Sequence, residues 1–228
     1  MNQQLFVTGT DTEVGKTWVA CAVLEAFNQL GYSTAAIKPV AAGCELTSQG
    51  YRNSDALALQ NAMSVSLPYE QVNPVAVEAA IAPHIAIQLA QQEVSLDGLV
   101  EHCSTVLQGD ADITVIEGAG GWRVPINDQH TLADLAKALG APVLLVVGMR
   151  LGCLNHAALT VEAIQADGLN CVGWVANILS DDMPYLDDNI KTLKRILPCP
   201  CVGEIPFLPN DSAKQIAAYL SPELLLSV

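Results

Sequence analysis

Basic residues are scarce in this sequence. Ten Lys and Arg stand against twenty-four Asp and Glu in a chain of 228 residues, and the formal net charge is -14 at pH 7. Because nucleic acids and anionic membranes are bound through clustered Lys and Arg, the composition argues against both as partners. A polyanion would instead need a local pocket of backbone N–H groups, a few lysines and a metal ion.

Paired cysteines and long apolar runs are also absent. The seven cysteines are odd in number and form no C-x-x-C pair, which favours buried thiols in a reduced cytosolic protein. The C-P-C of residues 199–201 has no second Cys or His pair at ligand spacing, so core packing is favoured over metal binding. No apolar run approaches the length of a membrane span, and the first residues carry no basic region with a cleavable apolar stretch. We therefore expect a cytoplasmic protein without a membrane partner.

Short apolar runs alternate along the chain with segments of helical periodicity. Apolar residues make up 51% of the chain and charged residues 15%, which allows a substantial core and disfavours disorder. Strands are predicted at Leu5–Thr8, Thr34–Val40, Ile113–Glu117, Val143–Gly148, Cys171–Asn177 and Cys201–Ile205. Helices are predicted at Thr17–Leu30, Asp55–Asn61, Leu96–Leu107, Leu132–Leu139, Asn155–Ala166, Leu186–Leu197 and Ala213–Leu220.

This alternation is typical of a mostly parallel sheet with helices on both faces. The length suits one α/β domain over residues 1–228, without a linker or an internal repeat. Residues 46–83 contain no clear strand, and a loop with short helices over one end of the sheet is predicted there.

The first strand is followed by TGTDTEVGKT at residues 8–17, which ends in Gly15-Lys16-Thr17 like the phosphate loop G-x-x-x-x-G-K-[ST]. Its first glycine, Gly9, lies one residue early, so five residues separate the two glycines. The flanking strand and helix favour a phosphate-binding loop over a chance G-K-T in a βα turn. We expect Lys16 to reach the terminal phosphates and the Thr17 hydroxyl to bind Mg²⁺. The predicted fold class is therefore P-loop NTPase-like.

Two further charged residues end predicted strands, where parallel sheets bind ligands. Glu117 precedes a glycine-rich turn, Gly118 to Gly121, and could lie near Mg²⁺; the alternative is a simple tight turn. Lys38 ends a buried strand, so it either pairs with an anion or extends to solvent. Its place on the same edge as Lys16 favours the first alternative.

Two helix starts carry signals that allow more than one role. Asn53-Ser54-Asp55 is typical of a helix N-cap, and Asp55 could also donate a carboxylate to a metal; the sequence leaves both roles open. Leu151 to His156 opens another helix, whose exposed N–H groups could hold a carboxylate. For His156 an ordinary helix position is favoured over a catalytic base.

Seven segments together closely resemble the dethiobiotin synthetases. They occur in the family's order over nearly the whole chain: Gly9-Thr-Asp-Thr-Glu-Val-Gly-Lys-Thr17, Lys38-Pro39-Val40, Arg52-Asn-Ser-Asp55, Glu117-Gly-Ala-Gly-Gly-Trp122, Leu151-Gly-Cys-Leu-Asn-His156, Gly173-Trp-Val-Ala-Asn177 and Gly203-Glu-Ile-Pro206. The longer phosphate loop is that family's own pattern. The resemblance implies a homodimer that converts 7,8-diaminopelargonic acid, CO₂ and MgATP to dethiobiotin, ADP and phosphate.

The resemblance also implies a role for individual residues. Thr17, Asp55 and Glu117 would hold Mg²⁺, and Lys16, Lys38 and Thr12 would act in catalysis. The nucleotide would be bound by Glu13, Val14, Gly15, Lys16, Thr17, Trp18, Asp55, Glu117, Gly118, Ala119, Gly120, Asn177, Pro206, Phe207 and Leu208, the last four on the adenine side. The diamine would be bound by Ala42, Gly152, Cys153, Leu154 and Asn155. At Ala42 the family commonly has a serine, so one possible hydrogen bond to the diamine, about 1 kcal/mol, is lost. Either the affinity for the diamine is lower, or a water or another side chain takes the place of the hydroxyl.

A regulatory P-loop ATPase of the MinD and ParA type is the alternative. That class carries a second lysine at the start of the phosphate loop, where this chain has Asp11. A GTPase would need an N-K-x-D segment, and the sequence contains none. Both absences favour the synthetase.

Overall fold

The computed structural model describes residues 3–208 and 212–226. Within them the strands are β1 (Gln3–Gly9), β2 (Thr34–Ile37), β3 (Val40–Ala42), β4 (Glu45–Thr47), β5 (Gly50–Arg52), β6 (Val75–Val77), β7 (Ile113–Glu117), β8 (Val143–Met149), β9 (Cys171–Ile178) and β10 (Cys201–Ile205). The helices are α1 (Lys16–Gln29), α2 (Ser54–Ala62), α3 (Tyr69–Val72), α4 (Pro83–Leu89), α5 (Leu96–Leu107), α6 (Leu132–Leu139), α7 (Cys153–Ala166), α8 (Leu186–Ile196) and α9 (Ala213–Ile216). Two 3-10 helices follow at Ala217–Tyr219 and Pro222–Leu225.

Six strands form the central sheet in the order β10-β9-β8-β1-β7-β2, and every pairing in it is parallel. β1 lies between β7 and β8, with Val7 opposite Glu117 and Gly9 opposite Val146. The carboxyl ends of these strands therefore meet at one edge, where parallel sheets bind their ligands.

Alternate residues of the strands face opposite sides of the sheet. Leu5 and Val7 pack in a core cluster with α1, α2 and α9, whereas Phe6 packs on the other face with α4, α5 and α6. A third cluster joins Leu145 of β8 and Trp174 of β9 to α7 and α8. The predicted parallel sheet with helices on both faces is confirmed. The assignment of all 228 residues to a single domain stays a prediction.

The six predicted strands all occur, but one of them is shorter than predicted. Thr34–Val40 is not one strand: β2 ends at Ile37, and β3 pairs with β6 in a separate two-stranded sheet. Pro39 has no N–H to continue a ladder, and the Lys38 N–H donates instead to the Val72 carbonyl. The break turns the chain at Lys38, directly at the edge of the main sheet.

The other differences lie between the main elements. Residues 46–83 were expected to lack strands, yet β5 and β6 lie there, and β4 and β5 form an antiparallel hairpin. Ala213–Leu220 is not one α-helix, because α9 ends at Ile216 and continues as a 3-10 turn. The strands β4, β5 and β6 are each three residues long, which is too short for a two-residue periodicity to be recognised in the sequence.

The cysteines are mostly buried, as predicted. Cys21, Cys44, Cys103, Cys153 and Cys199 are buried, and the other two are partly exposed. Within the part of the chain that the structure describes, no three His, Cys, Asp or Glu side chains are grouped so that they could hold a metal. A search of the same residues finds no helix both long and apolar enough to cross a membrane.

Candidate active site

A cavity of about 1280 Å³ opens at the carboxyl ends of β1, β2 and β7. Twelve of the residues predicted from the sequence line it: Thr12, Glu13, Gly15, Lys16, Thr17, Trp18, Lys38, Ala42, Asp55, Glu117, Ala119 and Gly120. The fold thus brings together segments from four separate parts of the chain, as the sequence predicts.

The phosphate loop, residues Gly9–Thr17, has a backbone that only small residues permit at two positions. Gly15 has a φ of 82°, in the left-handed region, and an added Cβ would lie 2.2 Å from Asn177 Nδ2. At Gly9 a Cβ would meet the Val14 side chain at 2.6 Å. Glu13, with a φ of 57°, is one of three non-glycine residues with positive φ in the described part of the chain. α1 begins at Lys16 without a side-chain cap, so its first N–H groups can bind an anion.

Asp11 fixes the first half of the phosphate loop, a role that the sequence reasoning missed. Its carbonyl accepts a hydrogen bond from Lys16 Nζ at 3.0 Å, and its Oδ1 accepts one from the Thr12 N–H at 2.7 Å. Its second carboxylate oxygen pairs with Arg150, which follows β8. The only sequence signal was an acidic residue where MinD-like proteins have a lysine.

Lys38 is buried beside two carboxylates. Its Nζ lies 2.5 Å from Glu117 Oε1, 3.0 Å from the Gly118 carbonyl oxygen and 3.3 Å from Asp55 Oδ2. The Thr17 hydroxyl donates to the same Glu117 Oε1 at 2.8 Å. Extension of Lys38 to solvent, the alternative considered from the sequence, is therefore wrong, because the lysine is only 3% exposed and pairs with an anion.

The two lysines of the cavity differ in their electrostatic environment. Burial, and next the charge of Lys38, lower the pKa of Lys16 to about 8. Burial alone would also lower the pKa of Lys38, but Glu117 and Asp55 outweigh it and raise that pKa above its ordinary value. Lys38 is therefore a firmly charged partner of the carboxylates, whereas the charge on Lys16 is less strongly stabilised by its surroundings.

Asp55 lies in the first turn of α2 but is not its cap. The N-cap is Asn53, whose side-chain oxygen accepts the N–H groups of Asp55 and Ala56. The sequence left open whether Asp55 caps α2, and the structure shows that Asn53 is the cap. The carboxylate of Asp55 pairs with Lys38 instead.

The donor set suits a magnesium ion. Glu117 is fully buried, and its Oε2 has no hydrogen-bond partner among the residues that the structure describes. A buried carboxylate oxygen without a partner is costly unless a cation or a donor reaches it. One or two carboxylates and a hydroxyl, completed by water and substrate phosphates, are the ligands that Mg²⁺ takes in nucleotide-binding proteins. Thr17, Asp55 and Glu117 fit this description.

Other predicted residues lie outside the lining of the cavity. Asn177 is buried behind the phosphate loop and donates from Nδ2 to the Val14 carbonyl at 2.9 Å. The rest of this group is Val14, Gly118, Pro206, Phe207, Leu208, Gly152, Cys153, Leu154 and Asn155. The roles assigned to these residues, and to those in the cavity, stay predictions.

Several lining residues were not predicted from the sequence. Arg123 lies in the loop after β7 and pairs with Asp167, while Glu25 and Lys214 come from α1 and α9. Each is a charged residue on a helix or loop, indistinguishable in the sequence from an ordinary solvent-exposed side chain. Only their place in the fold brings them to the cavity.

Comparison with known proteins gives consistent results. A family model described as an AAA domain matches residues 3–215. The ATP-dependent dethiobiotin synthetase BioD of Cellvibrio japonicus is 57% identical over 221 residues, which cover 97% of this chain and 96% of the relative. The synthetase of the same name from Vibrio parahaemolyticus is 46% identical over 228 residues, with both chains fully covered.

Among solved structures, the MinC:MinD cell division complex of Aquifex aeolicus contains a chain with a TM-score of 0.62 and 15% identity, covering 99% of this chain and 96% of that one. MinD of Pyrococcus horikoshii, complexed with Mg-ADP, has a TM-score of 0.60 and 16% identity, covering 100% and 98%. At this low identity the structural likeness shows the fold alone, which is that of the P-loop NTPases. The two relatives with about half of their residues identical are both named ATP-dependent dethiobiotin synthetase. The chain belongs to the family of ATP-dependent dethiobiotin synthetases.

Proposed function

We propose that this chain catalyses the ATP-dependent carboxylation and ring closure of 7,8-diaminopelargonic acid with CO₂, giving dethiobiotin, ADP and phosphate. The observation that carries the proposal is the convergence of two lysines, a helix N-terminus and two carboxylates on one cavity. Lys16 and Lys38 both line it, beside Asp55 and Glu117. A reaction that passes through several anions needs such concentrated charge in a partly dry site.

The reaction places negative charge near these lysines at each step. One amine captures CO₂ as a carbamate, and a carbamate oxygen then attacks the γ-phosphorus and expels ADP. The second amine closes the ureido ring on the resulting carbamic–phosphoric anhydride and expels phosphate. Lys16, at the start of α1, would bind the terminal phosphate, and Thr12 and Glu13 line the same cavity. The positive charges oppose the developing charge on the carbamate and on the transferred phosphoryl group.

Magnesium is part of the proposal. Thr17, Asp55 and Glu117 would hold it, and it would neutralise charge on the triphosphate. This chain's own contribution is to fix the ligands: the Thr17 hydroxyl already contacts Glu117, and the position of Asp55 in the first turn of α2 is set by the Asn53 cap.

The substrate carboxylate is assigned to the start of α7, in a homodimer. Gly152 is the N-cap of this helix with a φ of 96°, and no side chain of the described residues caps the helix. The Gly152–Asn155 segment lies outside the cavity of its own chain. A second copy that presented this helix start to the cavity would supply N–H groups for the carboxylate. The proposed setting of the dimer is the cytoplasm.

A turnover assay tests the proposal. The purified protein is incubated with diamine, bicarbonate, Mg²⁺ and each nucleoside triphosphate in turn, and ADP and dethiobiotin are measured. We expect equal amounts of ADP and dethiobiotin, with ATP as substrate and with dependence on all components. ATP turnover that is unchanged when the diamine is omitted would contradict the synthetase and favour a regulatory ATPase. A monomer in solution under turnover conditions would contradict the assignment of α7.

A further inference from the structure

Lys38 holds a position that the proposed metal also needs. Its ammonium nitrogen lies between Glu117 Oε1, at 2.5 Å, and Asp55 Oδ2, at 3.3 Å. Thr17 contacts the same Glu117 oxygen. Lys38 is buried and contacts two of the three predicted metal ligands, and the third, Thr17, bonds to the same Glu117 oxygen.

A cation bound by these three side chains would compete with the lysine. Mg²⁺ lies about 2.0–2.1 Å from its oxygen ligands, closer than a lysine nitrogen in a hydrogen bond. An ion that joined Thr17, Glu117 and Asp55 would thus take the space between the carboxylates where Nζ lies. Two cations at such short range in a buried site repel each other strongly, so lysine and metal are alternatives there.

We infer that Lys38 is the internal counter-ion of the metal site, which neutralises Glu117 and Asp55 when no metal is bound and is displaced from them by the metal. The ammonium also donates to the Gly118 carbonyl oxygen at 3.0 Å, which is not one of the predicted metal ligands, and the Lys38 side chain lines the cavity with Lys16. The displaced ammonium of Lys38 would then supply a second positive charge where the carbamate and γ-phosphate would meet. This last step rests on the proposed function, whereas the displacement does not.

If the metal displaces Lys38, removal of the lysine should raise the affinity for the metal. A lysine that acted only in catalysis would not have this effect. Lys38→Met removes the competing charge and keeps a side chain of similar length. We expect it to bind Mn²⁺, which takes the same oxygen ligands, about tenfold or more tightly than the parent in the absence of nucleotide and diamine. Free Mn²⁺ is measured by its electron paramagnetic resonance signal during a titration.

Lys16→Met is the matched control. Lys16 lines the same cavity and carries the same charge, but its Nζ is bonded to the Asp11 carbonyl and not to a carboxylate. We expect its Mn²⁺ affinity to change by about threefold at most, from the loss of general positive charge. Equal Mn²⁺ affinities of Lys38→Met and Lys16→Met would overturn the inference, and so would weaker binding by Lys38→Met.

Two more measurements guard against a variant that folds poorly. In EDTA, Lys38→Met is expected to unfold roughly 10 °C below the parent, because two carboxylates lose the ammonium that pairs with them, and Mn²⁺ should recover most of this loss. Lys16 and Lys38 are the buried lysines of the described residues, so the protected lysine nitrogen signal that remains in Lys16→Met belongs to Lys38. In the wild-type protein this nuclear magnetic resonance signal should shift when Mg²⁺ is added. A signal that stays unchanged at saturating Mg²⁺ would refute the displacement. All these experiments omit nucleotide and diamine. A result that contradicts the displacement of Lys38 can therefore be distinguished from a result that contradicts the synthetase activity.

Discussion

The phosphate loop and the group formed by Lys38, Glu117 and Asp55 border one cavity, yet different forces hold them in place. Backbone geometry shapes the phosphate loop: Gly15 is left-handed, and Asn177 fastens the Val14 carbonyl from behind. Side-chain charge holds the other group together through the buried ammonium of Lys38. The loop is consequently built to receive an anion from outside, while the carboxylate group already contains its own cation.

The largest expected effect separates the two lysines. Lys38→Met leaves the fully buried Glu117 without its cationic partner and should lower the free energy of unfolding by about 3 kcal/mol or more. Lys16→Met should lower it by less than about 1 kcal/mol, because burial already disfavours the charge of Lys16 and its pKa is about 8. Urea denaturation in EDTA at pH 7 measures both.

Both variants should lose most turnover, so activity alone does not distinguish them. The double variant Lys38→Met/Glu117→Gln removes both charges and should recover most of the lost stability, since a neutral pair leaves no buried charge unpaired. Equal losses of stability in Lys38→Met and Lys16→Met would contradict the view that side-chain charge holds the Lys38 side of the cavity together and not the phosphate loop.

The second effect tests the backbone of the phosphate loop. Gly15→Ala forces a side chain into the left-handed region and against Asn177, and should cost about 2 kcal/mol or more of stability together with most of the ATP affinity. Gly140→Ala is the matched control: Gly140 has a φ of 61°, but an added Cβ there meets nothing within 4 Å. It should cost about 1 kcal/mol. Thermal unfolding and ATP titration calorimetry give both quantities, and similar losses in the two variants would show that Asn177 does not restrict the loop.

The third effect concerns the side chain behind the loop. Asn177→Ala removes the hydrogen bond to the Val14 carbonyl and should cost about 1–2 kcal/mol of stability, with weaker ATP binding as the loop loosens. In a Gly15→Ala background the same change relieves the contact and should cost less. Chemical denaturation of the single and double variants tests this difference; strictly additive losses would contradict it.

The two sides of the cavity also differ in how far the sequence predicts them. The phosphate loop is contiguous, so its glycines, lysine and threonine could be recognised by their spacing alone. Lys38 and Glu117 were each predicted from their position after a strand, but their contact depends on the register of β2 and β7, in which Ile37 lies opposite Ile116. Register is a tertiary property that no local pattern contains.

The elements that the sequence did not predict have similar causes. The break of the second strand at Pro39 was missed because the apolar run continues through it into β3. The pair of Asp11 and Arg150 joins residues from the ends of β1 and β8, far apart in the chain. Both depend on which strands become neighbours, and this is set by packing of the whole sheet.

The smallest expected effect is that of Asp11 and Arg150, whose side chains are both about half exposed. An exposed ion pair contributes little, and a double-mutant cycle with Asp11→Asn and Arg150→Gln should give a coupling of about 0.5 kcal/mol in stability, smaller still in high salt. The carbonyl of Asp11 continues to accept from Lys16 in every variant, so ATP affinity should fall by only about threefold. Denaturation at two salt concentrations and ATP titration check these values. A coupling above about 2 kcal/mol would mean that side-chain charge holds the phosphate loop as well, and the contrast between the two sides of the cavity would then disappear.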